Sequence, residues 1–373
     1  MAVSTLNGYV SADSHVVEPA DLWLTRMDTR FRDRAPRIAS RPKGDFYIID
    51  GVAPNPLGLE GAMLEQKLAG KVESPIGHRY HDTRPGAWDP QARLVDQDLD
   101  HVRAEVIYPG FFGLQFFTAP DAEYQRVCIR VYNDWLSEFC ATAPDRLLGA
   151  GLLPMKGPVE WAIAEAERIV KKGLRSVLIP SEVPERPYAS PEYAPLWAAL
   201  QDLGVPVSTH IGTSTKEGLL PKTQRLGVLT GVLDMRFALA RFTSDIICAG
   251  VPHAYPQLQF VLVESGIGWI AGTLTFMDHW WADHRHWMEP TLHESPSFSF
   301  HRQFWATFEE DRAGLLTREL LNVAHLMWGA DYPHTEGTFP RSRQQVEKVF
   351  AGIPQTEVQK MVVDNAARLY NLT

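Results

Sequence analysis

The sequence predicts an α/β protein: one (β/α)8 TIM barrel over residues 1–373, with a long insertion, about 21–90, after the first strand. Three observations carry this. Short apolar strands begin at Tyr9, Ala104, Leu147, Ser176, Val205, Gln259, Phe304 and Leu326, and helical periodicity fills nearly every interval between them. The strands are apolar at successive positions, as strands buried on both faces of a parallel sheet are. The turn after the first strand carries Asp13 and His15 where a doubly wound open sheet would carry a Gly-rich phosphate loop.

Taken in order, Tyr9, Val10 and Ala12 form a short buried strand ending in Asp13 and His15. The insertion holds Arg- and Pro-rich pieces, then a strand at Phe46-Tyr47-Ile48-Ile49, a hairpin signal at Asp50-Gly51 and a return strand from Val52. Its aromatics favour an ordered lid over one face of the barrel. Helices follow at Gln91 to His101, with Leu94, Val95 and Leu99 on one side, and at Asp121 to Ala143, with Tyr124, Val127, Val131, Trp135 and Phe139 at helical spacing. Val159 to Val170 is closed by Gly173, and Ser190-Pro191 caps a helix running to Leu203. Gly227 to Cys248, Ile267 to Trp281, Leu315 to Val323, Ser342 to Phe350 and Glu357 to Tyr370 complete the helices.

Composition narrows the function. A hydrophobic content of 45% with 22% charged residues is that of a soluble globular chain. The net charge of −9, without a basic stripe, argues against a nucleic-acid surface. Cys128, Cys140 and Cys248 are too few and scattered for a disulfide framework, which points to a reducing compartment. No charged leader with an apolar run and no span of about 20 apolar residues is present, so the cytoplasm is expected and a membrane is not.

In such a barrel, functional groups gather at the C-terminal ends of the strands. Found there are Asp13 and His15 on the first strand, His210 on the fifth, Glu264 on the sixth and Asp331 on the eighth. Asp13 and His15, two apart on a strand, point to one face and can converge on a divalent metal. Any one of them has a bland reading, as a cap, a turn former or a core histidine. Their joint occurrence from distant parts of the chain is what points to metal binding.

The motifs D-S-H-V-V-E-P at Asp13 to Pro19, T-H-I-G at Thr209 to Gly212, E-S-G-I-G-W at Glu264 to Trp269, G-A-D-Y-P-H at Gly329 to His334 and N-A-A-R-L-Y at Asn365 to Tyr370 span the chain. With them the sequence resembles the amidohydrolase superfamily. Within it, the similarity is to the group holding aminocarboxymuconate-semialdehyde and γ-resorcylate decarboxylases. The resemblance implies one divalent metal ion, zinc by default with manganese as the other candidate. Its ligands would be Asp13, His15, His210 and Asp331, with Asp331 also moving protons. The chain departs from the pattern twice. No Lys ends the fourth strand, since Lys171 and Lys172 precede it, so a carbamylated-lysine binuclear site is not expected. Glu264 stands where the decarboxylases carry a His.

The expected activity is decarboxylation of a small unsaturated or aromatic carboxylic acid. The alternative is a hydrolase of a lactone or amide that activates water at the same metal. Glu264, otherwise a helix-capping or salt-bridged carboxylate, would serve the hydrolase as a further acid or base. A barrel kept only as a scaffold is disfavoured by the intact ligand positions. His334 and Arg84 are the candidates for holding substrate. Phe111, Phe112, Trp280, Trp281 and Trp287 are candidates for an aromatic pocket wall, and His279, His284 and His286 read as solvated surface histidines. The partner is a small molecule, and the resemblance implies a homodimer.

Overall fold

A computed structural model of the chain describes residues 8–58, 61, 64–71, 76–214, 227–288 and 292–372. The barrel strands are β1 (Tyr9–His15), β2 (Val102–Tyr108), β3 (Leu147–Leu152), β4 (Ser176–Leu178), β5 (Val207–His210), β6 (Phe260–Val263), β7 (Phe304–Phe308) and β8 (Leu326–Trp328). They pair in sequence order, each parallel to the next, as one eight-stranded sheet curled almost to closure. Except for the exposed Arg103, their residues are buried, which is why no polar alternation marks them.

The seam between β8 and β1 is closed by three hydrogen bonds. Ala330 N–H donates to Ser11 Oγ at 2.8 Å. Asp331 N–H donates to Asp13 O at 2.9 Å, and His15 N–H to Tyr332 O at 2.5 Å. The β1–β2 register slips between Ser11 and Ser14, a bulge that re-aims the end of β1.

Helices cover the outside. Ala122–Ala141 starts where the Asp121 side chain accepts from Glu123 and Tyr124 N–H, satisfying two otherwise orphaned donors. Ala194–Leu203 ends at Gly204 in the left-handed region, φ 65°. The last helix runs from Gln355 to Leu369 through a π-helical turn at Lys360–Asp364.

Three expectations are corrected. The helix Pro90–Leu99 leaves Val95 and Leu99 65% and 56% exposed and instead buries Arg93, Asp96 and Gln97, because it packs on a polar network and not on apolar side chains. In the insertion, Arg37–Arg41 and Gly44–Ile48 form the hairpin through Pro42-Lys43, and the short third strand is Asn55–Pro56; Asp50-Gly51 turns between them without a strand at Val52. The stretch Leu315 to Val323 is broken into the short helix Arg312–Leu316 and the 3-10 turns Arg318–Leu320 and Val323–His325.

The insertion shares the barrel's core. Trp23, Phe31, Tyr47 and Leu57 belong to the same buried apolar cluster as the barrel strands. Trp23 Nε1 donates to Cys128 O at 3.0 Å, and its ring meets Phe112 and Phe116. Among the described residues, no helix is long and apolar enough to cross a membrane.

Candidate metal centre

At the C-terminal mouth of the barrel the strand ends bring Asp13, His15, His210, Glu264, Asp331 and His334 together. His15 Nε2 lies 3.6 Å from Asp13 Oδ1 and 3.4 Å from Asp331 Oδ1. His210 Nε2 lies 3.6 Å from both Asp13 Oδ1 and Glu264 Oε2. The two imidazoles meet edge to face, with Nε2 atoms 3.1 Å apart. His334 stacks on His15 at 4.1 Å and puts Nδ1 2.8 Å from Asp331 Oδ1.

The other nitrogen of each histidine decides what the 3.1 Å contact is. His15 Nδ1 lies 2.8 Å from Pro109 O, and His210 Nδ1 lies 2.7 Å from Ile211 O. A carbonyl only accepts, so both Nδ1 atoms carry the proton and both neutral rings turn an Nε2 lone pair inward. Two lone pairs facing each other repel unless a cation lies between them.

The carboxylates agree. Asp13 Oδ2 accepts from Thr307 Oγ1 at 3.1 Å, and Thr307 Oγ1 in turn accepts from Glu264 N–H at 2.7 Å. Asp13 Oδ1, Asp331 Oδ2 and His334 Nε2 are buried without a hydrogen-bond partner, and Asp331 Oδ1 has His334 Nδ1 beside it. Buried polar atoms are rarely left so, and here they converge on one place. Oxygen and imidazole donors of this kind fit a divalent cation such as zinc or manganese. The donor atoms form two sets sharing His15: Asp13, His15 and His210, and His15, Glu264, Asp331 and His334, each set lying within 4.8 Å.

Burial pushes the Asp331 and Glu264 carboxyls well above the carboxylate range, and neighbouring acids add to it: Glu309 and Glu264 around Asp331, Asp13 and Glu309 around Glu264. Burial, with His334 and His210 alongside, holds His15 well below the usual imidazole range. Two of the four described non-glycine residues with positive φ lie here: Glu264 and Asp331, at 53° and 51°, rare for residues with a side chain.

A family model described as amidohydrolase matches residues 20–372. The chain belongs to the amidohydrolase family. Among curated proteins, it is 29% identical to the γ-resorcylate decarboxylase of Rhizobium radiobacter over 231 residues, 57% of this chain and 65% of the relative. It is 26% identical to the γ-resorcylate decarboxylase of Rhodococcus jostii over 346 residues, 83% of this chain and 99% of the relative. The chain thus spans a little under two thirds of the first relative and nearly all of the second. Two solved structures share the fold. An amidohydrolase from Mycobacterium avium subsp. paratuberculosis superposes with a TM-score of 0.79 at 21% identity, covering 98% of this chain and 100% of that one. A dihydroxybenzoic acid decarboxylase from Polaromonas, with bound manganese and the inhibitor 2-nitroresorcinol, gives 0.63 at 18% identity, with 98% of each chain covered.

The remaining candidates of this amidohydrolase-family chain make other contacts. Arg84 puts Nε and Nη2 at 2.8 and 2.6 Å from the two oxygens of Asp96 and lies over the Phe339 ring, so a salt bridge engages the guanidinium expected to clamp substrate. Phe112 is fully buried against Trp23 and Tyr47, and Phe111 stacks on Tyr47. Trp280 and Trp287 are surface residues flanking His284, and Trp281 Nε1 bonds Leu292 O. His279 is exposed beside Asp283.

Three supporting residues carry little signal in the sequence. Thr307 sits in an apolar strand like any β-former, yet it fixes Asp13. Arg93, fully buried, donates to His15 O and to Gly86 O, pairs with Glu105 at 3.0 Å and lies over the Tyr332 ring. Arg236 lies against Gly266, where an added Cβ would come 2.6 Å from its Nη1.

Proposed function

We propose that this chain is a metal-dependent carboxy-lyase that removes CO2 from a small aromatic or unsaturated carboxylic acid. The observation that carries the reading is the inward-facing pair of Nε2 lone pairs on His15 and His210, 3.1 Å apart beside the unpartnered Asp13 Oδ1. The relatives named γ-resorcylate decarboxylase support the reaction class.

Asp13, His15, His210 and Asp331 would hold the ion. When bound, a divalent ion supplies Lewis-acid polarisation of the substrate's carboxylate and neighbouring oxygen. The chain's residues do the rest. Asp331, buried beside His334, delivers a proton to the carbon bearing the carboxylate. The electrons of the breaking carbon–carbon bond then restore the unsaturated system as CO2 leaves. His334, with Nδ1 2.8 Å from Asp331 Oδ1, returns a proton to that carboxylate and flanks the substrate.

One observation favours a second reading. Glu264 reaches within 3.6 Å of His210 Nε2, a further carboxylate suited to water activation and hence to hydrolysis of a lactone or amide. Zinc over manganese, a homodimer and a cytoplasmic setting complete the reading. The three scattered cysteines support a reducing compartment.

Incubation of metal-loaded protein with 2,6-dihydroxybenzoate and related hydroxybenzoates, following CO2, tests it. CO2 release that a chelator abolishes is expected. Oxygen-18 entering a product from water, with no CO2 from any acid, would replace the lyase with the hydrolase.

A further inference from the structure

We infer that Glu18 positions His15 for its metal by holding the far side of the peptide that joins Pro109 to Gly110. This rests on the reading of His15 as a ligand and is independent of the reaction assigned to the site.

Asp13, His15 and Glu18 are the ionisable side chains of the D-S-H-V-V-E-P stretch, and Glu18 is the one outside the ligand cluster. It is fully buried, where a carboxylate is costly unless hydrogen bonds offset the lost hydration. What surrounds the carboxyl is backbone. Gly113 N–H donates to Oε1 at 3.1 Å. Oε2 makes no full hydrogen bond, yet the N–H groups of Gly110 and Phe112 also stabilise the negative charge, against a burial that pushes the carboxyl up to about 7. The fit needs both glycines. An added Cβ at Gly110 would come 2.8 Å from Oε2 and 2.3 Å from Val16 O, and one at Gly113 would come 2.3 Å from Pro109 Cβ. From the insertion, the Tyr80 hydroxyl donates to Glu18 O at 3.2 Å and fixes the residue's backbone.

The link to the metal centre is one peptide plane. The Pro109–Gly110 bond is trans, so its C=O and N–H point in opposite directions. Pro109 O takes the Nδ1 proton of His15 at 2.8 Å, while Gly110 N–H is turned to the Glu18 carboxyl. Negative charge behind the N–H polarises the peptide and makes the carbonyl on its other side a stronger acceptor. That acceptor keeps the proton on Nδ1 and leaves the Nε2 lone pair for the ion. Glu18 therefore acts through the backbone, as a positioning residue one peptide removed from the ligand.

The test reads the tautomer of His15 and the affinity for Zn2+. The full chain with 15N-labelled histidine, assigned with His15→Asn, is followed by NMR, and Zn2+ binding is measured by competition with a chromogenic chelator. In the metal-free wild type, His15 is expected as the Nδ1–H tautomer alone. Glu18→Leu fills the space without an acceptor. With an unchanged circular dichroism spectrum, it should show both tautomers and bind zinc about 10–100-fold more weakly, the usual cost of losing an outer partner of a ligand. Glu18→Gln, which still accepts from Gly113, should recover part of that affinity. Mixed tautomers in the wild type would overturn the inference even if Glu18→Leu does not fold. Wild-type affinity in Glu18→Leu would overturn it as well, as would equal losses in the two variants. So would weaker binding with the tautomer unchanged, since packing alone explains that result. Wild-type protein that binds no zinc would instead remove His15 as a ligand.

Discussion

The peptide N–H of Asp331 donates to the carbonyl of Asp13 at 2.9 Å, so the seam that closes the barrel also joins its first and last candidate ligands. The approach is tight: a Cβ on Gly329 would sit 2.5 Å from the Cβ of Asp13. Folding of the outer strands and assembly of the site are therefore one event. A cation held by Asp13 and Asp331 would in turn staple β1 to β8.

Gly329→Ala should force the seam open. The expected result is a loss of about 1–3 kcal/mol of stability, typical of overpacking, together with weaker metal retention. Denaturant unfolding and bound-metal analysis of the same preparation check it.

Asp331→Asn keeps the shape of the side chain and removes its proton. A fall in kcat of about 10²–10⁴, the usual contribution of a positioned acid, is expected with the fold intact. CO2 release against circular dichroism measures both.

Arg93 carries the polar face beneath the site. It holds the carbonyl of His15 and pairs with Glu105, whose Oε1 accepts from Ser14 Oγ at 3.1 Å. Arg93→Met leaves Glu105 buried and unpaired and should cost about 3–5 kcal/mol. Arg93→Met with Glu105→Gln should recover much of that loss, since no charge is then stranded. Equilibrium unfolding of the single and double variants separates these outcomes.

Asp100 provides a pH prediction away from the metal. Burial pushes its carboxyl up to about 7, against the hydrogen bonds it accepts from Ser342, and Glu105 and Asp96 add to the rise. The folded state therefore binds this proton where the unfolded chain has lost it. Its contribution to stability is full below about pH 4 and is lost as pH rises from there to about 7. Asp100→Asn should be more stable than the wild type at pH 8, with the advantage shrinking toward pH 4. Thermal unfolding across that range checks the sign.

The barrel was legible because its strands are uninterrupted apolar runs whose ends carry Asp13, His15, His210, Glu264 and Asp331. What escaped was set by tertiary context. Thr307 has the composition of an ordinary strand residue, and only the register of β7 beside β6 aims its hydroxyl at Asp13. In the helix Pro90–Leu99 the apolar Val95 and Leu99 face solvent, because Arg93 and Gln97 are needed against Glu105. Arg84 reads from the sequence as a cation in the insertion, and its partner Asp96, 12 residues on, engages its charge. The strand Arg37–Arg41 was hidden by its charge, since it forms an exposed edge and buries little.

Anomalous scattering from crystals of metal-loaded protein, recorded on both sides of the metal's absorption edge, decides whether these strand ends hold an ion. A peak about 2.0–2.3 Å from Asp13 Oδ1, His15 Nε2 and His210 Nε2 is expected. An ordered barrel mouth with no peak there, from protein grown and soaked in excess zinc or manganese, would contradict it.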